Sequence, residues 1–146
     1  MSPLSTLSAP MLVSDVLCSV LFVAERVQAG FPSPAQDIGA TRIDLTRELI
    51  RHPQATFLVR VVGDSMREAG IDEGDTLLVD RALKPSHGCV VVAVVDGEFT
   101  VKHLHQRNGQ IKLCAANPTY PNIVPREGQL IEVWGVVTTC IKRFRT

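Results

Sequence analysis

An apolar, β-branched run, residues 89–95 (Cys-Val-Val-Val-Ala-Val-Val), and a mixed run, residues 98–105 (Glu-Phe-Thr-Val-Lys-His-Leu-His), are separated by Asp96-Gly97 alone. A two-residue link between strands needs positive φ at both central positions, and Asp-Gly accepts it at low cost. This stretch is therefore committed to an antiparallel hairpin. Asn108-Gly109 marks a second hairpin leading into residues 110–114. Residues 56–62 (Thr-Phe-Leu-Val-Arg-Val-Val) close on Gly63-Asp64, residues 76–79 repeat the pattern, and a long last strand is predicted over residues 130–142. Many short strands with Gly and Pro turns predict a mainly β body, sandwich-like or partly closed. Residues 44–52 have the composition of a short helix, with Asp44 as N-cap and Pro53 as its stop.

With 146 residues, 45% of them apolar, the chain has material for one ordinary core. Its texture divides it into an N-terminal arm (residues 1–29), a Pro-punctuated linker with the short helix (30–53) and a β-rich body (54–146). Fifteen basic residues balance fifteen acidic ones, so no net field draws the chain onto nucleic acid or an anionic membrane. Lys142, Arg143 and Arg145 read as a solvated tail. Cys18, Cys89, Cys114 and Cys140 are scattered, without the spacing of a zinc or redox motif, and read as small, buried hydrophobes in a reducing cytoplasm. His103 and His105 stand two apart on a strand with no third ligand nearby in sequence, so no metal site is expected. The apolar stretch 16–24 followed by Val27-Gln28-Ala29 has an export-signal flavour. Asp15 at its start, Glu25-Arg26 at its end and the lack of a preceding Lys or Arg argue against export, and the run is too short to span a bilayer.

Two positions carry candidate chemistry. Ser65, in Gly63-Asp64-Ser65-Met66, follows a strand and a turn, where a hydroxyl and the neighbouring backbone N–H groups can point the same way, as an oxyanion hole requires. Taken alone it is a turn serine. Lys102 lies inside a predicted strand, and alternation puts it on one face with Thr100 and Leu104. Taken alone it is an edge-strand lysine that discourages aggregation.

Together these blocks are similar to the LexA/UmuD self-cleaving serine peptidase family, on the UmuD-like side. The shared segments are Ala29-Gly30-Phe31-Pro32-Ser33-Pro34, Gly63-Asp64-Ser65-Met66 and Asp96-Gly97-Glu98-Phe99-Thr100-Val101-Lys102, continuing through Asn117-Pro118 and Trp134-Gly135-Val136-Val137. The resemblance implies a LexA/signal-peptidase-like β body with a flexible N-terminal arm. It also implies a Ser–Lys dyad: Ser65 as nucleophile, Lys102 as general base, the Met66 backbone in the oxyanion hole, and the arm released at Ala29–Gly30. An unperturbed lysine, pKa about 10.4, is neutral in only about one molecule in 2,500 at pH 7, so burial has to lower that pKa and cleavage should quicken as pH rises. The resemblance further implies a cytoplasmic homodimer, activation by a RecA filament on single-stranded DNA, no cofactor, and service to a Y-family, UmuC-like polymerase in error-prone DNA-damage tolerance.

Departures from the family pattern are few. UmuD-like chains typically have Cys-Gly at the cut, where this one has Ala29-Gly30. Cys89 replaces a more usual acidic residue, and twenty-nine residues are too few for the helix-turn-helix domain of a LexA repressor, so no direct sequence-specific DNA binding is expected. Two alternatives stay open: a LexA-like regulator lacking its own DNA-binding domain, and a non-cleaving polymerase-binding module.

Overall fold

The structure is a computed structural model and describes residues 10–12, 19–23 and 40–146. The expected cleavage site, Ala29–Gly30, lies outside the described residues, as does Cys18. The chain divides into two units, residues 14–53 and the remainder.

In the smaller unit β2 (Ser19–Val23) pairs antiparallel with β3 (Ala40–Asp44), Val20 opposite Ile43 and Phe22 opposite Thr41. Sequence patterning gave residues 40–44 to the linker. A five-residue ladder closed between segments so far apart leaves no local turn signature to read. α1 (Leu45–Leu49) follows directly, capped by the Asp44 carboxylate, which accepts from the Thr46 N–H at 3.0 Å. The predicted N-cap is thus borne out. The helix is shorter than expected, because Ile50 already has extended φ and ψ.

The larger unit is a seven-stranded antiparallel sheet in the order β1-β4-β5-β9-β6-β7-β8. Its members are β1 (Met11–Leu12), β4 (Thr56–Arg60), β5 (Thr76–Asp80), β6 (Val90–Val95), β7 (Glu98–Arg107), β8 (Gln110–Cys114) and β9 (Ile131–Ile141). The mainly β fold expected from the sequence is observed. Both hairpins are present: Asp96 and Gly97 have φ of 50° and 84°, Asn108 and Gly109 of 53° and 74°. These double positive values are the reason for the Asp-Gly and Asn-Gly choices.

β6 lies inside the sheet between β9 and β7 and is buried on both faces. Val92 belongs to a cluster with Val59, Leu77, Val79 and Val101, whereas Val91, Ala93 and Val95 pack with Leu104 and Leu113. Burial on both faces explains why β6 reads as an unbroken apolar run instead of an alternating one. Each fully buried Val or Leu is worth about 1.5–3 kcal/mol relative to exposure, so these two clusters fix the register of β7. β9 bridges β5 and β6, with a register shift on each side, between Leu78 and Val79 and between Val92 and Ala93. Gly135 sits there with a backbone role. A Cβ at this position would lie 2.6 Å from Val79 Cγ1, inside van der Waals contact.

Candidate active site

The serine loop leaves β4 through Val61, whose N–H donates to the Asp75 carbonyl at 2.9 Å. Gly63 then turns the backbone at φ 90°, a left-handed value that a side chain would strain. A short 3₁₀ turn, Arg67–Ala69, follows the serine and ends at Gly70, also left-handed at φ 82°. Met66 and Ile71 drop into the core beneath the loop, at 1% and 4% exposure. Ser65 is thereby held between buried anchors.

A second segment clamps this loop from the side. The Ala116 N–H donates to the Ser65 carbonyl at 2.9 Å, and the Glu68 N–H donates back to the Ala116 carbonyl at 2.8 Å. Asn117, 4% exposed, donates through Nδ2 to the Asp64 carbonyl at 2.9 Å, and its Oδ1 accepts from Thr119. The Tyr120 hydroxyl donates to the Asp64 carboxylate at 2.8 Å, and this hydrogen bond pushes the phenol's pKa upward. Backbone and side-chain groups on both sides of the serine are therefore tied down. Among the described residues, the N–H groups of Ser65 and Met66 find no acceptor.

Lys102 approaches from β7, in register with Val91 of β6. Its side chain is fully buried, as are Thr100 and Val101. The amine nitrogen stands 3.0 Å from Ser65 Oγ, 2.6 Å from Thr100 Oγ1 and 3.0 Å from the Val101 carbonyl. Burial deprives the ammonium of water and lowers its pKa to about 8. With that value about one lysine in ten is neutral at pH 7. A neutral amine has two hydrogens and one lone pair. Thr100 Oγ1 and the Val101 carbonyl accept the hydrogens, which turns the lone pair toward the Ser65 hydroxyl. The arrangement can take a proton from Ser65 and return it to a leaving group.

The structure thus brings Ser65 and Lys102, 37 residues apart in sequence, to hydrogen-bond distance. It gives Met66 two tasks at once, a core side chain and an amide beside the serine with no acceptor among the described residues. Thr100 was legible as a neighbour on the Lys102 face but not as the shortest contact of its amine. The parts played by Asn117 and Tyr120 follow from a loop packing that leaves no periodic signal. Cys89, Cys114 and Cys140 are free thiols, but they are not the buried hydrophobes the sequence suggested: Cys89 and Cys114 are half-buried and Cys140 is exposed, because each lies at or beside the end of a strand and none is among the buried members of the two core clusters. Among the described residues no three His, Cys, Asp or Glu side chains converge as metal ligands, and no helix is long and apolar enough to cross a membrane.

The β body thus buries a serine hydroxyl within hydrogen-bond distance of a lysine amine. The chain belongs to the Peptidase S24-like family, which matches residues 21–138. It is 48% identical over 122 residues to protein SamA of Salmonella typhimurium, covering 84% of each chain. It is 46% identical over 123 residues to protein ImpA of Escherichia coli, covering 84% of this chain and 83% of ImpA. A LexA repressor from Syntrophotalea carbinolica is 42% identical over 90 residues, 62% of this chain and 45% of the repressor. The resemblance to UmuD-like proteins is borne out by these relatives.

Proposed function

We propose that this chain is an autoproteolytic serine peptidase that cuts its own Ala29–Gly30 bond. The observation that carries the reading is the 3.0 Å contact between two buried groups, Lys102 Nζ and Ser65 Oγ. Neutral Lys102 takes the hydroxyl proton while Ser65 Oγ attacks the Ala29 carbonyl carbon. The N–H groups of Ser65 and Met66 stabilise the oxyanion. The Lys102 ammonium then gives its proton to the Gly30 nitrogen as the peptide bond breaks, leaving an ester between Ala29 and Ser65. Water, deprotonated by Lys102, hydrolyses that ester and restores both residues. Small side chains at Ala29 and Gly30 allow close approach, and tethering in one chain or one dimer raises the effective concentration of the bond enough for a slow single turnover.

In this reading residues 1–29 are the released arm, 30–53 the linker and 54–146 the Ser–Lys peptidase domain. The cleaved form acts as an accessory subunit of an error-prone, Y-family translesion polymerase in the cytoplasmic SOS response. It works as a homodimer, and a RecA filament on single-stranded DNA triggers the cut. Similarity to the UmuD-like chains SamA and ImpA over most of the length supports this assignment.

The test is intact mass spectrometry of wild type and Ser65→Ala after incubation with RecA, single-stranded DNA and a slowly hydrolysed ATP analogue. A wild-type fragment beginning at Gly30, absent from the variant, is expected. A wild-type chain still whole under these conditions and at pH 10 would discard the peptidase and leave a binding module.

A further inference from the structure

The β7–β8 hairpin carries a groove at its tip, away from the Ser65 loop in sequence. A cavity of about 210 Å³ is lined by His105, Arg107, Lys112 and Val124 among others, and one of about 460 Å³ by Gly109, Ile111 and Pro125 among others. The two share Gln110, Ile111 and Val124, so they form one continuous depression. Its chemistry is divided. His105 is in register with Lys112, and Arg107 with Gln110, so these four side chains rise from the same face of the hairpin. Val124, 58% exposed, supplies an apolar wall with Ile111 and Pro125.

Among the described residues, no carboxylate lines either cavity. The His87 ring meets His105 edge to face at 4.8 Å, held there by its Nδ1, which accepts from the Gln106 N–H at 3.0 Å. The pKa of His105 is pushed down, first by burial and then by the charges of Lys112, His87 and Arg107. Among the described residues, no carboxylate in the groove faces Arg107 or Lys112.

Backbone parity adds a third feature. Leu113 exchanges two hydrogen bonds with Ile123 across the outer side of β8, at 2.8 and 2.7 Å. Successive strand residues alternate the side to which N–H and C=O point, so Ile111 presents its pair to the same outer side. There the facing segment runs on to Val124 and Pro125, and proline has no N–H to give. Among the described residues no group takes up the Ile111 pair.

We propose that this groove docks an extended segment of a partner protein in which acidic and aliphatic residues alternate. The segment adds to the β8 edge through the N–H and C=O of Ile111. The two-residue period of a strand turns its carboxylates toward His105, Arg107 and Lys112, and its aliphatic side chains toward Ile111 and Val124. Charge complementarity selects the acidic side. The open backbone pair and the apolar wall select a peptide over a phosphate backbone, which uses neither. The zero formal net charge of the chain likewise gives nucleic acid no general attraction.

The experiment titrates full-length Ser65→Ala, which stays whole if the peptidase reading holds, and follows backbone amide resonances. The probes are a capped Asp-Val-Asp-Val-Asp-Val peptide, its Lys-Val counterpart and a thymidine hexanucleotide. The acidic peptide is expected to bind at least tenfold more tightly than the basic one, with the largest shift at the Ile111 amide. Arg107→Glu combined with Lys112→Glu should weaken it at least tenfold. Ile111→Pro should do the same while leaving the β7 ladder intact, because the N–H it removes points away from β7. Equal affinity for both peptides, indifference to the double charge reversal, shifts centred elsewhere, or tighter binding of the hexanucleotide would each overturn the proposal. None of these readouts depends on cleavage.

Discussion

Lys102 and Lys142 are the same side chain in two opposite situations. Lys102 is fully buried, and the groups that reach its amine include the hydroxyls of Thr100 and Ser65 and the Val101 carbonyl. Lys142, about one-third exposed, lies between two carboxylates, 2.7 Å from Asp72 and in contact with Asp75. Burial drives the pKa of Lys102 down to about 8, while the hydrogen bonds that Lys142 donates to Asp72 and Asp75 drive its own upward. Hydroxyl and carbonyl dipoles orient an amine but replace only part of its hydration. Carboxylates replace it fully and fix the charge. The first site has the makings of a base, the second of a tether between the end of β9 and the 72–75 turn.

The largest break in that comparison comes from removing each amine in turn. Under the proposed mechanism Lys102→Met should reduce conversion to the fragment beginning at Gly30 by a factor of about 100 or more, the scale of a lost general base. Lys142→Met should convert at the wild-type rate. Quantitative mass spectrometry of both variants over a time course checks this, and equal loss in the two would erase the distinction.

Stability should separate them next, and with opposite signs. A lysine whose folded pKa lies below its unfolded value near 10.5 leaves the unfolded chain holding more protons between those limits, so stability rises with pH there. The shift of Lys102 corresponds to about 3 kcal/mol, a penalty fully present below pH 8 and relieved by about pH 10.5. In a Ser65→Ala background, urea unfolding should show Lys102→Met losing about 3 kcal/mol of relative advantage between pH 7 and pH 10.5. A gap that does not move with pH would mean that Lys102 is charged throughout. The same value sets the rate: cleavage should rise about tenfold from pH 7 to pH 9 and level off, following the neutral fraction of an amine with a pKa of about 8.

How far this contrast was legible in the sequence differs by region. Asp96-Gly97 and Asn108-Gly109 announced their hairpins because a positive φ at two successive positions restricts residue choice directly. β6 announced itself through a β-branched run and β7 as its partner across the Asp96-Gly97 turn, and with β7 came the face that Lys102 shares with Thr100. The approach of Lys102 to Ser65 was carried by similarity to a family, since alternation alone equally describes a solvated edge lysine. Nothing in the sequence pointed to Lys142 as a tether: it reads as one cation of a basic tail, and its partners lie 67 and 70 residues away in a turn. β3 was likewise hidden, because the stretch of sixteen residues between it and β2 is too long and too Pro-punctuated to set a hairpin register.

The smallest expected effect tests the tether itself. Asp75 accepts from the Asp72 N–H at 2.8 Å, from Lys142 and from the Cys140 thiol at 3.4 Å, and its pKa is lowered even though burial alone would raise it. The same burial, reinforced by the Asp75 carboxylate, pushes the Cys140 thiol up to about 11, so this thiol remains protonated at neutral pH. A carboxylate with a depressed folded pKa contributes stability that is present above its unfolded value near 3.8 and lost as pH falls toward the folded value. Lys142 is exposed enough for salt to screen it. Lys142→Met should therefore lower the melting temperature by a few degrees at most, on the scale of a surface ion pair. That difference should shrink on adding 1 M salt and again below pH 4. A melting-temperature difference that survives both treatments would show that Lys142 holds the end of β9 by packing of its aliphatic stem, and the contrast between the two lysines would then rest on Lys102 alone.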